Sequence, residues 1–467
     1  MQRGDEGMEN EDSNILETKS VGILFIKMAV PAVLSQLINI LYNLVDKMFI
    51  GHMKISGAKA LAGLGVTTPV ILFLSAFAAL VSMGGAPKAA IALGKKEKDM
   101  AERIMGSCMA LLLVISVFLT AGMMIWGENI LLVFGASEDT IGFATDYMRI
   151  YCLGTVFIQL SLGLNTFITT QGFAKASMIN VTIGAVINVL LDSIMIYVCN
   201  LGIKGAAIAT VIAQAVSGIF IVRFLTSENS EIRLRKKYIR LDWKLLMPCI
   251  LLGTSPALMQ ITENMVAISF NTVLQRYGGD MAVASMSILN SVMQFVMLLL
   301  PGLVQGAQPI LSYNLGAGQI ERVRKTFHYL LLSCVTGSSI IWAACMFFPE
   351  NIIGIFTNNT ALRAYSVAPL RTYLCLLCIY GIQVACQYSF VALDRAKTAI
   401  FLTIWRKIIL LIPLIFLLPH IVSNPTIGVF LAEPFADFIA VCTTGTLFYR
   451  YYRKELVVST KKIHSDL

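Results

Sequence analysis

Gly84-Gly-Ala-Pro87-Lys-Ala-Ala-Ile-Ala-Leu-Gly94 returns, at an offset of 222 (306 − 84), as Gly306-Ala-Gln-Pro309-Ile-Leu-Ser-Tyr-Asn-Leu-Gly316, with its glycines and proline in register. Arg149 and Tyr151 recur at the same offset as Arg371 and Tyr373. The chain is a duplicated unit. Because each copy is almost wholly apolar, the duplication implies two helical bundles facing one another, with whatever the protein handles lying between or within them. Such architecture belongs mostly to carriers.

Of the 467 residues, 57% are hydrophobic and 13% charged, with a mean hydropathy of +0.76, too little charge to solvate a water-soluble fold of this size. Apolar runs of about 20 residues, enough to cross roughly 30 Å of hydrocarbon, fall near 22–50, 60–83, 104–126, 145–169, 177–200 and 204–225, then near 244–270, 282–310, 327–347, 370–392, 399–419 and 427–449. The expected fold is an all-α integral membrane protein of twelve transmembrane helices. Six spans per copy return the chain to its starting side, so the two six-helix lobes should be related by a pseudo-twofold axis along the membrane normal. The expected division is an acidic, disordered tail (1–19), a first lobe (20–225), a basic linker (226–243), a second lobe (244–452) and a closing tail (453–467).

The net charge of +9 does not point to nucleic acid, because of where it lies. Twenty-two Lys and Arg, among them Lys95, Lys96, Arg235, Lys236, Arg322 and Arg395, fall on one side, against eight on the other, such as Lys47, Lys54 and Arg276. This asymmetry places both termini in the cytoplasm of a multi-pass plasma-membrane protein. The acidic start of the chain, through Thr18, lacks an apolar core and does not read as a signal peptide. Ten cysteines inside apolar spans and four scattered histidines indicate neither a disulfide framework nor a metal site, and Cys375 and Cys378 read as small packing residues. The Gly-bearing turns after Leu93 and Leu315 lack the Lys-Ser or Lys-Thr of a phosphate cradle, so no ATPase is encoded. An intramembrane enzyme would need a nucleophile with its base, or a metal set, at helical spacing.

Charge inside a bilayer costs about 2.5–3.5 kcal/mol per residue even by insertion scales, so the intramembrane acids Asp46, Asp192, Glu263, Glu433 and Asp437 carry most information. Asn39, Tyr42 and Asp46 share one face of the first span, Asn188 and Asp192 are i, i+4 on the fifth, and Thr210 and Gln214 repeat that spacing on the sixth. Asp192 lies about 15 residues past the basic end of its span, some 22 Å inward at about 1.5 Å per residue. Asp46 can reach a similar level, and two carboxylates at one depth can share a proton or a small cation. Alternatively, Asp46 snorkels with Lys47 to the outer interface. The pair exists in the first copy only: Leu414 stands opposite Asp192 and Asn271 opposite Asp46. Glu263 is either a site for a cationic substrate or a hydrogen-bonded packing residue. Glu433 and Asp437, flanking Pro434, are expected to face inward and brace a kinked helix, while Arg406 and Lys407 are expected to snorkel to the cytoplasmic interface. Pro31 can bend the helix that carries Asp46.

Pro31-Ala-Val-Leu-Ser-Gln-Leu, Leu41-Tyr-Asn-Leu-Val-Asp46, Asn188-Val-Leu-Leu-Asp192, Gly205-Ala-Ala-Ile-Ala-Thr210, Gln305-Gly-Ala-Gln-Pro309 and Tyr313-Asn-Leu-Gly-Ala-Gly318 occur in order. Over about Val21 to Arg453 the chain resembles the multidrug and toxic compound extrusion (MATE) family. The resemblance implies an outward-opening V of two lobes and export of cationic or aromatic drugs, by a monomer, against inward flow of H⁺ or Na⁺, with no cofactor. It makes Asp46 and Asp192 the cation-coupling acids, with Na⁺ as an alternative occupant to H⁺. Asn188 and Thr210 become their polar companions and Pro31 the bending proline. Asn39, Tyr42, Asn165, Gln214 and Glu263 are the candidates for a substrate cavity. The family's second-lobe acid in span ten is missing, with Gln383 and Gln387 there instead. A flippase for a lipid-linked precursor, on a related fold, is the alternative, and it would want a basic cavity.

Overall fold

The computed structural model describes residues 15–53 and 57–457, which form helices and short turns with no strand among them. The first lobe comprises α1 (Val21–Gly51), α2 (Gly57–Gly94), α3 (Lys98–Val133), the pair α4 (Ile141–Leu153) and α5 (Thr155–Thr170), α6 (Ala174–Val198) and α7 (Ile203–Thr226). A 74-residue helix, Trp243–Gly316, follows. At about 1.5 Å per residue it would run more than three bilayer cores end to end, and it is broken at Gly279, whose φ of +59° is a conformation glycine adopts without cost. It therefore supplies two spans, α8 (243–278) and α9 (280–316). The second lobe continues with α10 (Ile320–Phe347), a short helix α11 (Pro349–Phe356), the pair α12 (Thr360–Tyr373) and α13 (Leu377–Ala392), α14 (Ala396–Ile421) and α15 (Pro425–Val457). Twelve spans result, as expected, although α11 left no signal in the apolar runs.

Two spans expected to be single are bent in equivalent places, α4–α5 by 61° and α12–α13 by 47°. A bend frees backbone carbonyls that lipid cannot satisfy. In the first lobe the Thr120 hydroxyl donates to the Cys152 carbonyl at 2.8 Å; in the second, the Trp342 indole donates to the Cys375 carbonyl at 2.8 Å. Thr120 and Trp342 are themselves repeat mates (342 − 120 = 222), so both copies repair the bend from the same position with different side chains. The Cys375–Cys378 pair belongs to this bend. The turns duplicate as faithfully: Lys96 (φ 62°) and Gly318 (φ 70°) hold the same left-handed position, as do Gly172 (φ 90°) and Asp394 (φ 62°).

The lobes meet through glycine. A Cβ added at Gly94 would fall within the Tyr313 carbonyl oxygen, and one at Gly316 within that of Ile91, a reciprocal contact because 91 and 313 are themselves repeat mates. Gly84 lies against Cys249, Gly253 against Leu80, and Gly306 against Ala29. All these positions lie in the halves of α1, α2, α8 and α9 nearest the basic loops. Among the described glycines of the four outer halves none approaches the other lobe, so these close backbone contacts belong to the basic end. Gly94→Leu and Gly316→Leu should each force the backbones apart, an overpacking cost of at least about 1–3 kcal/mol, and should lower the detergent-solubilised melting temperature equally. A wild-type melt for either variant would contradict this interface.

Two further ties close that end. The Lys88 ammonium pairs with Asp394 at 2.7 Å across the lobes. The tail, expected to be disordered through residue 19, instead forms a helical turn, Ile15–Thr18, with Leu16 fully buried. It is held by donors of the second lobe: Asn314 and Arg322 both donate to the Leu16 carbonyl, and the Tyr313 hydroxyl donates to the Glu17 carboxylate at 3.2 Å. Residues 1–14 of that tail, and 458–467 of the other, lie outside the described residues. The basic linker is packed rather than loose. Ile232, Leu234 and Tyr238 are buried, Arg235 pairs with the buried Glu102 at 2.8 Å, and Gln171 accepts from Ser230 and the Ile232 backbone.

Candidate functional site

Three helices of the first lobe bring their polar stripes together, and α6 shows how. Immediately after Asp192 it widens into a π-turn, Ile194–Val198, and the Tyr197 hydroxyl on that turn donates to the Phe49 carbonyl of α1 at 2.8 Å. This bond ties the end of α6 to the end of α1, so Asp192 and Asp46 face one another with their carboxyl groups close enough to interact. Asp192 is wholly buried and Asp46 is 8% exposed, which removes the snorkelling alternative for Asp46. Neither oxygen of Asp192, nor Oδ1 of Asp46, accepts from an N–H or hydroxyl donor of the protein. Two carboxylates brought together away from water form a site that can share a proton or take a small cation.

Around the acids are Tyr42, Tyr147 and Tyr151, the last two stacked with ring centroids 6.0 Å apart. The Tyr147 ring lies beside Thr210, and the Asn188 amide donates to the Thr210 hydroxyl at 3.3 Å. Sequence reasoning misses Tyr147. Its i, i+4 spacing to the repeat-marking Tyr151 is the one available signal, masked because the bend at Gly154 lies so close by.

One helical turn from the acids lies a cavity of about 340 Å³, whose lining includes Asn39, Tyr42, Asn165, Asn188, Thr210 and Gln214. Asp46 and Asp192 are not part of the lining but sit one turn beyond Tyr42 and Asn188, which are. Glu263 also lies outside it; the second lobe contributes Gln260 and Gln305 instead. Helix α1 runs unbroken through Pro31, where the Ser35 hydroxyl donates to the Pro31 carbonyl at 2.8 Å.

The second lobe corrects one expectation. Arg406 and Lys407 do not snorkel: they are 3% and 4% exposed. The Arg406 guanidinium donates to Glu433 and to Asp437, each at 2.7 Å, and stacks over Tyr380 at 4.9 Å; Lys407 pairs with Glu263 at 2.8 Å. Counter-charges from α8 and α15 compensate the lost hydration, which no local stretch of α14 reveals. Glu433 and Asp437 face inward as expected, and Glu263 is an ion-pair partner. Arg406 occupies the register of Gly184, a cavity-lining residue of the first lobe, so a guanidinium stands in one copy where the other has open space. Gln383 donates to Gln387, which donates across to Thr403 of α14.

The chain matches the MatE family over residues 31–194 and 256–417, one segment per copy. It is 24% identical over 415 residues to the multidrug export protein MepA of Staphylococcus saprophyticus, covering 88% of this chain and 90% of that one. It is 23% identical over 440 residues to MepA of Staphylococcus haemolyticus, covering 93% and 95%. Among solved structures, it superimposes on the MATE multidrug transporter DinF-BH with a TM-score of 0.87 at 30% identity, covering 95% of this chain and 99% of that one. The same TM-score, at 20% identity and 96% and 98% coverage, relates it to a MATE protein in a bent conformation. With the family match falling on both copies and relatives matched along nearly the whole length, this chain belongs to the MatE family.

Proposed function

We propose that this chain is a secondary active multidrug exporter of the plasma membrane, both termini cytoplasmic, which expels cationic or aromatic organic compounds in exchange for H⁺ or Na⁺. The observation that carries the proposal is the contact between Asp46 and Asp192, one turn from a cavity large enough for an organic molecule. A proton or Na⁺ taken up by the pair from the outer side removes its net attraction for a cationic compound held in the cavity. Release of the compound and loading of the ion thereby become linked. Because α1 carries Pro31, Tyr42 and Asp46 and packs against both α6 and α9, a bend at Pro31 would move acid and cavity wall together. A driving force of about 180 mV is worth roughly 4 kcal/mol per charge, enough to sustain a gradient of about a thousandfold. Export by MepA relatives supports the direction of transport. Among the described residues the lining holds no cationic side chain, which speaks against a flippase for a phosphorylated lipid.

The test is ethidium efflux from proteoliposomes with pH and sodium gradients imposed separately. Efflux should follow one imposed ion gradient and stop when that gradient is collapsed. Efflux that ignores both would remove the antiport reading.

A further inference from the structure

We infer that each copy carries a lipid anchor at the end opposite the basic loops, a short apolar segment that beds into the boundary between headgroups and acyl chains of that leaflet. The inference stands apart from the transport reading. Glu128-Asn-Ile-Leu-Leu-Val-Phe134 and Glu350-Asn-Ile-Ile-Gly-Ile-Phe356 are repeat mates (350 − 128 = 222) and share their acid, amide, first isoleucine and phenylalanine in register. Shortly before each stand two bulky apolar residues, Ile125 and Trp126 in the first copy, Phe347 and Phe348 in the second.

The two segments are built differently and end alike. Helix α3 has 36 residues, about 54 Å at about 1.5 Å per residue, which exceeds the roughly 40–45 Å of a bilayer with its headgroups. Its last turns, which hold the first segment, therefore lie at headgroup depth. Helix α10 instead stops at Phe347, and the chain turns at Phe348 (φ −125°, ψ 46°) into α11, which packs on α12. Pro349 opens α11 where the continuous α3 has Gly127, and both positions are buried. One residue roots each segment in its bundle: the repeat mates Leu131 and Ile353 are fully buried. Two residues on, the chain turns its apolar side chains outward, with Val133 85% exposed, Ile355 78% exposed, and Phe134 and Phe356 exposed beside them. Glu128, Asn129, Glu350 and Asn351 are exposed as well. Polar and apolar groups side by side suit the boundary and neither bulk phase.

The occupant is phospholipid, because the exposed surface continues one that already faces it. Val114, Val117, Phe118 and Ile125 make an exposed stripe along α3, and Leu332, Ile340 and Phe347 make another along α10, each at helical spacing. In spans of this length and hydropathy such stripes lie against acyl chains, and both run into the segments without a break. Trp126 stands at the junction, where an indole with one apolar face and one wet edge is favoured. Two anchors, one per lobe, hold the outer end of each bundle at a fixed depth.

The experiment reconstitutes the full chain into phosphatidylcholine brominated either near the headgroup end of its acyl chains or at their middle, and reads tryptophan quenching. The Trp126 signal is the difference between wild type and Trp126→Phe. Shallow bromine should quench it at least about twofold more than mid-chain bromine, as a ring about 5–10 Å into the boundary requires. Phe348→Trp, made in the Trp126→Phe background and read against that background, reports the second anchor and should give the same ratio. Should Phe348→Trp not fold, Phe347→Trp takes its place. Ile340→Trp in the same background lies about 10 Å deeper than Phe347 at about 1.5 Å per residue, and mid-chain bromine should quench it more. Absence of Trp126 quenching by either lipid overturns the inference, leaving water or a second copy of the chain as the neighbour of the segment. So does a depth for Trp126 equal to that of Ile340→Trp, since the segment would then be a continuation of the acyl-facing belt.

Discussion

Asp192→Asn should abolish drug efflux while the protein still folds and reaches the membrane. Asparagine matches aspartate in shape, and its amide can donate to the Asp46 carboxylate, so the contact between α1 and α6 survives. What is lost is a titratable oxygen pair at a fully buried position, the proposed seat of the coupling ion. On the proposed antiport reading the pair can then neither load nor release a coupling ion, and the roughly thousandfold gradient that about 4 kcal/mol can hold should fall to none. Asp46→Asn should behave alike, because the acids act as one unit. Ethidium efflux from cells, set against membrane expression and the size-exclusion profile, reads the outcome. Full transport by either variant would sink the assignment of the coupling site. Conversely, loss of expression would show that the pair is needed to build the lobe.

Arg406→Leu should be among the most destabilising single changes in the second lobe. Arg406, Glu433 and Asp437 are mutually buried, with the guanidinium donating to both acids at 2.7 Å. Truncating the cation leaves two carboxylates in a low-dielectric interior with no donor of comparable strength, and breaking such a pair costs about 3–5 kcal/mol. The triple change Arg406→Leu, Glu433→Gln and Asp437→Asn removes the charges together and should recover most of that loss, since a neutral substitute for a buried ion cluster is often tolerated. Thermal denaturation of the detergent-solubilised protein distinguishes the cases. If the single variant melts at the wild-type temperature, the cluster does not hold α14 to α15. If the triple variant is as unstable as the single one, the cost comes from lost packing of the long side chain and not from uncompensated charge.

Arg406 and Lys407 exceed what any single span reveals. On local hydropathy alone, two cations near the end of a span reach for the interface. Their partners lie 27 and 31 residues downstream for Arg406, and on α8 for Lys407. Ion pairing of this kind is a property of helix packing, and no window of sequence contains it. Tyr147 escapes notice for a related reason: its role arises from Thr210, on a helix that only the fold brings near. The docked turn at Leu16 is likewise hidden, because one buried leucine in an acidic stretch resembles any solvated tail until its donors on the second lobe are seen.

By itself the sequence determined the twelve spans, the duplication and the three polar stripes of the first lobe. Each of these depends on periodicity within a helix or on a constant offset between copies, and the bilayer forbids any other way of satisfying the backbone. Only the tertiary structure decided that Asp46 and Asp192 come together and that the second lobe's buried cations are met by acids of other helices. Those facts depend on which helix faces meet and how closely. That is set by glycine contacts, bends and side-chain bonds between residues far apart in the chain, whose energies do not exist until the helices have assembled.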